Sequence, residues 1–186
     1  MKSIGALIVT LVLIMPASAQ ELSKKEQRKL NKELKKEEKA KEAAAQAAVV
    51  QLMVEYQRFV LEADRLRDKR GTTVNVPSTL NFIAVDSLNG VLQIGSNAYV
   101  GLNGVGGITV EGSVAGYEYK LNEKNGSYNV KYFLRSPSGS YDVQMVVFGD
   151  GRADATVSST WPGKLNYSGF IVPPAASRVW KGTSRY

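Results

Sequence analysis

The chain predicts a mainly β fold: an antiparallel meander closed as a barrel or folded as a sandwich, preceded by a long charged N-terminal α-helix. Three observations carry that expectation. From Gln57 onward apolar and polar residues alternate with a period of two, as half-buried strands require. Asn-Gly, Asp-Gly and Pro-Ser-Gly punctuate the alternating runs at hairpin spacing. Upstream of Gln57 the chain is rich in Lys, Glu, Ala, Leu and Gln, all strong helix formers.

Residues 1–19 read as a secretory signal peptide. Met1-Lys2-Ser3 is a basic start, Ile4 to Met15 is apolar, and Ala17-Ser18-Ala19 is a small-x-small cleavage pattern, with cleavage expected after Ala19. The apolar run would be about 18 Å long as a helix, short of the roughly 30 Å that a membrane core demands. Residue 20 is Gln where a lipoprotein needs Cys, so the expected product is exported, periplasmic or secreted, and not a lipoprotein.

Residues 20–56 form the charged, Ala-rich helical segment. Ser23 and Glu26 make a capping box, and neither Gly nor Pro occurs between Gln20 and Arg70. A helix from Lys24 to Tyr56 would be about 50 Å long. Up to Glu42 it is charged nearly all round, which predicts a solvated stalk. Beyond Ala43, the residues Val49, Leu52, Met53 and Tyr56 fall at i, i+3, i+4 and i+7, which predicts a docking face.

Residues 57–174 form the β domain. Strands are expected near 58–66, 81–88, 91–95, 108–114, 117–123, 127–135, 140–148, 153–159 and 165–172. Hairpin turns are expected at Asn89-Gly90, Asn125-Gly126, Pro137-Ser138-Gly139 and Asp150-Gly151. Ile108, Val110 and Val114 are even-numbered, whereas Tyr117, Tyr119 and Leu121 are odd. A bulge at Ala115-Gly116 would restore a common face. Pro173-Pro174 ends the last strand, since proline cannot donate to a ladder. Residues 175–186 are a short basic tail.

The formal charge of +7 is unevenly spread. The helical segment and the tail hold most of it, and the β domain is close to balanced, so nucleic acid is not an expected partner. The chain has no cysteine and no histidine. It therefore has no disulfides, no Ser-His-Asp or Cys-His nucleophilic site and no common zinc site. No catalytic residue, metal ligand or cofactor is assigned. The run Gly101 to Gly107 precedes a strand and not a helix, so it reads as an inter-strand loop and not a phosphate loop.

Several segments together resemble a known family. They are Phe-Val-Leu-Glu-Ala-Asp-Arg at 59–65, Ile-Thr-Val-Glu-Gly at 108–112 after a Gly-rich run, Tyr117-Glu118-Tyr119, Tyr128 with Val130, Tyr141-Asp142-Val143, and Tyr-Ser-Gly-Phe-Ile-Val-Pro at 167–173. In these the chain is similar to the Domain of Unknown Function 4251 family. The resemblance covers some two-thirds of the chain and implies a small exported protein of a Gram-negative envelope with one β-rich domain. The family carries no established activity, so no functional residue follows from it. The missing lipobox Cys and the long charged helix depart from many similar sequences and argue against membrane anchoring.

Two groups of residues are candidates for binding. Arg65 and Arg67 stand in a basic cluster with Lys69 and Arg70 where a strand runs into a loop, which suits an anion. Tyr99 and Trp161 are aromatic residues out of phase with the strands and so available to a ligand. The expected function is a non-catalytic module binding an unidentified envelope ligand or protein partner. A carboxylate-dependent hydrolase of envelope glycans is one alternative, drawing on Glu62, Asp64, Asp86, Glu111, Glu118, Asp142 and Asp154. A structural envelope scaffold is the other. The oligomeric state is left open.

Overall fold

The helix forms where its composition demands it. In the computed structural model, which describes residues 23–98, 103–159 and 163–184, α1 runs Lys24–Glu55. The expected signal peptide and its cleavage after Ala19 lie outside the described residues. The Ser23 N–H donates to Glu26 Oε2 at 2.9 Å, one half of the expected capping box. The chain divides into two units, Met1–Glu38 and Lys39–Tyr186. In the first, every side chain of Lys24–Glu38 is exposed. No described helix is long and apolar enough to cross a membrane.

In the second unit the helix buries a different face from the one expected. Val50, Met53 and Val54 are buried, whereas Val49, Leu52 and Tyr56 are exposed. The correction has a steric cause. Ala47 leads the contact, standing against Gly149 of a hairpin turn, with the longer Gln46 side chain reaching Gly151 beside it. Ala47, Val50 and Val54 share that line at i, i+3 and i+7, and Met53 flanks it. Gln57, with φ of 54°, ends the helix in a left-handed step and turns the chain into the first strand.

Nine strands follow: β1 Arg58–Arg67, β2 Thr73–Asn75, β3 Phe82–Asp86, β4 Asn89–Ile94, β5 Ile108–Asn122, β6 Ser127–Ser136, β7 Gly139–Val147, β8 Arg152–Ser159 and β9 Lys164–Val172. The pairing order is β2-β1-β3-β4-β5-β6-β7-β8-β9, all antiparallel, and β1 also pairs with β9. Eight strands therefore close into a barrel, and β2 adds a short strand beside β1. The sandwich alternative is excluded by the β1–β9 register, which runs from Val60 opposite Val172 to Arg67 opposite Asn166. Closure leaves no long open edge among these eight strands.

Irregularities fall where the alternation breaks. β5 is one long strand instead of two, because the predicted bulge at Ala115-Gly116 shifts its register against β6 without ending it. A second bulge between Ala63 and Arg65 in β1 puts Asp64 and Arg65 both outward. The β3–β4 hairpin turns at Ser87-Leu88, not at the expected Asn89-Gly90. Ser87 takes the positive φ of 55°, and Gly90 serves the strand instead, where a Cβ would lie 2.7 Å from Leu134 Cδ1.

One contiguous core fills the barrel. Phe59, Leu61, Ile83, Val130, Tyr132, Leu134, Val143, Met145 and Ile171 come from alternate positions of the strands. Val50, Met53 and Val54 stopper one end of it. The basic tail packs as a strap over the outside of β1, β3, β4 and β5. Ser177 Oγ and the Arg178 N–H donate to Glu62 Oε1, the Trp180 N–H donates to Thr79 O, and Lys181 Nζ reaches Glu111 at 3.1 Å. Beneath it Gln93 is fully buried and bonded four times, to Leu80 O, Trp180 O, Thr109 Oγ1 and the Gly182 N–H.

Candidate functional site

The two ends of the barrel are unlike. β7 runs Gly139–Val147, and its Val147 end continues into the turn that meets α1. At the opposite end the chain leaves an apolar cavity of about 310 Å³. Its floor is Leu92, Val110, Val157 and Tyr167, each at most 8 % exposed. Its rim is Ile94, Ile108, Tyr141, Ser159, Gly163, Lys164 and Leu165. Ile108 is 60 % exposed and stands at the entrance of the cavity.

These residues gather because of register, not sequence proximity. Ile94 pairs with Ile108, Leu92 with Val110, Tyr141 with Ser159, and Val157 with Leu165. The volume lies within the range of small-molecule pockets, and a barrel mouth is a common place for one. Burial pushes the Tyr167 phenol up from its ordinary value. Tyr141 Oη lies 3.2 Å from Ser138 Oγ, which holds that ring at the rim. Tyr132 lies deeper, and its buried hydroxyl has no partner among the described residues.

A second concavity, of about 510 Å³, lies on the outer wall across β2, β1, β9 and β8. Arg65 and Arg67 both line it. So do Thr73, Asp154, Thr156, Asn166 and Ser168, which the ladders set in cross-strand rows: Thr73–Arg67–Asn166–Thr156 and Arg65–Ser168–Asp154. Thr156 Oγ1 donates to Asn166 Oδ1 at 2.7 Å, and Ser168 Oγ donates to Asp154 Oδ1 at 2.5 Å. The structure thus brings the two predicted arginines into one groove. Tyr99 and Trp161, the other predicted pair, lie outside the described residues.

The acids proposed for hydrolysis are dispersed. Glu62 holds the tail, Asp86 pairs with Arg58 at 2.9 Å, Glu111 with Lys181, and Asp64 with Arg65 at 3.4 Å. Neither concavity is lined by two carboxylates. The sequence reading missed the cavity floor, because Leu92, Val110, Val157 and Tyr167 carry the same signal as core residues. Only closure decides which strand ends converge on a void.

A closed eight-stranded antiparallel barrel, plugged by a helix at one end and hollow at the other, defines the class. The chain belongs to the family described as Domain of unknown function (DUF4251), whose family model matches residues 40–171. It is similar to the crystal structure of a DUF4251 family protein from Bacteroides eggerthii DSM 20697, with 28% identity and a TM-score of 0.61. That match covers 72% of this chain and 91% of the other. The resemblance read from the strand motifs is thereby confirmed. No curated protein matches the chain.

Proposed function

We propose that this is an exported, non-catalytic binding module that takes one small apolar ligand end-on into the open mouth of its barrel. The observation that carries the reading is the cavity of about 310 Å³ bounded by Leu92, Ile94, Ile108, Val110, Val157 and Leu165. Its walls are aliphatic and aromatic, so a ligand gains chiefly by leaving water. Lys164 stands at the rim, where a ligand's polar or anionic end would point. The dispersal of the acids supports a role without hydrolysis.

The test uses the chain from residue 20 onward and the uncharged fluorescent probe N-phenylnaphthylamine. Saturable binding is expected, and Ile108→Trp should weaken it at least about tenfold by filling the mouth. The exposure of Ile108 lets the protein fold with that change. Binding that ignores Ile108→Trp, or no binding at all, sinks the reading. Export is tested separately, by locating the full chain and an Ala17→Arg variant in fractionated cells.

A further inference from the structure

The outer groove is a second, independent site, and we propose that it binds a carboxylate-bearing saccharide of the uronic acid type. The argument begins with the two guanidinium groups. Arg65 and Arg67 stand two residues apart on one strand face, about 7 Å between Cα atoms. Arg65 has only a 3.4 Å contact with Asp64, and among the described residues no carboxylate pairs with Arg67. Planar guanidinium donors match the two oxygens of a carboxylate.

The rest of the groove decides what the carboxylate is attached to. Thr73, Thr156, Asn166 and Ser168 are uncharged hydrogen-bonding groups, suited to hydroxyls. Asp154 is the discriminating residue. Its Oδ1 accepts from Ser168, which leaves Oδ2 to accept from a ligand hydroxyl. A carboxylate inside the groove repels a phosphate dianion, whereas a uronate carries one negative charge and several hydroxyl donors. Asp64 faces Arg65 and Asp154 shares the lining, so Arg67 is the guanidinium free of a carboxylate among the described residues and the one that takes the ligand's single negative charge. The ring would lie along the Ser168 and Asn166 rows with its carboxylate over Arg67.

The experiment is a titration of the chain from residue 20 onward, followed by amide NMR, with D-glucuronate, D-glucose and inorganic phosphate. Glucuronate is expected to shift residues 65–67, 154–156 and 166–168 saturably and to bind more tightly than either other probe. Arg67→Gln should weaken it at least about tenfold, since one charge-assisted contact is lost. Asp154→Asn should narrow the preference for glucuronate over phosphate, and Lys131→Gln, at an exposed position of β6, should change nothing. Phosphate binding as tightly as glucuronate overturns the saccharide assignment. Absence of saturable shifts in the groove, or shifts confined to Ile94, Tyr141 and Leu165, overturns the site. All three variants are at exposed positions, and amide spectra that keep the wild-type dispersion certify their fold.

Discussion

The hydroxyl of Tyr117 donates to the carbonyl oxygen of Val54 at 2.8 Å and so ties the barrel wall to the last turn of the helix that stoppers it. The Tyr117 ring also stacks on Tyr132, with centroids 5.9 Å apart. The two phenols have opposite hydrogen-bond fates. One satisfies a helix-end carbonyl, and the other is buried without a partner among the described residues.

That contrast predicts opposite effects from the same chemical change. Tyr117→Phe should destabilise the protein by about 1 kcal/mol, because Val54 O loses the shorter of its two donors and keeps only the Gln57 N–H at 3.3 Å. Tyr132→Phe should be neutral or stabilising by up to about 1 kcal/mol, since it removes a desolvated hydroxyl that bonds nothing. In a chain of this size 1 kcal/mol moves Tm by about 2–4 °C. Calorimetry on both variants checks this, and a loss of stability in Tyr132→Phe would point to a bonded partner for that hydroxyl.

Alkali should unfold the barrel cooperatively. Burial raises the pKa of Tyr117, Tyr132 and Tyr167 above the ordinary 10.0, with neighbouring tyrosines adding to the first two. A raised folded value means that the stability is fully present below pH 10 and is lost as pH climbs through the folded values. Phenolate absorbance from these rings is expected to appear together with loss of the near-ultraviolet circular dichroism. Ionisation that runs ahead of unfolding would contradict it.

Closure of the barrel depends on Gly169. A Cβ there would run into Glu62 O and stand 2.8 Å from Ala63 Cα, both backbone atoms of β1 that cannot rotate away. Gly169→Ala should therefore cost more than about 2 kcal/mol, through distortion of the β1–β9 seam beside its bulge. Urea unfolding measures it. A loss below about half that value would mean that the seam yields easily.

The strap should be structural, and the first part of the helix should not. Removing residues 177–186 strips two partners from Gln93 and exposes the outer face that holds Phe82, which is 1 % exposed. Gln93→Leu removes all four of its bonds at once. Either change should cost about 3 kcal/mol or more, from several buried groups left unpaired. Deleting residues 20–42 should leave Tm nearly unchanged, because every described side chain in that range is exposed. Thermal melts of the three proteins, side by side, give the answer.

Much of the fold was legible. The change of period near Gln57 predicted the helix-to-strand switch, and every expected strand has a counterpart in β1 or β3–β9. The bulge at Ala115-Gly116 followed from a phase slip, because side-chain alternation is strictly two-residue and cannot slip without an extra residue. β2 was not seen, because Thr73–Asn75 is too short and too exposed to carry a period. The turn at Ser87-Leu88 was misplaced because Asn-Gly dominates any local reading, and the demand on Gly90 comes from Leu134, far along the chain.

Sites divide the same way. The Arg65–Arg67 pair was visible because both charges lie within three residues, and an outward strand face is a local property. The groove around them needed β8 and β9, ninety residues away in sequence, and the cavity needed five strands to converge. The sequence by itself determined the rhythm of buried and exposed positions, the helix and the absence of imidazole and thiol chemistry. Only the tertiary structure decided that the sheet closes, which end is stoppered and which stays hollow. Alternation fixes which face of a strand avoids water, but the long-range register of β1 on β9 fixes where those faces meet.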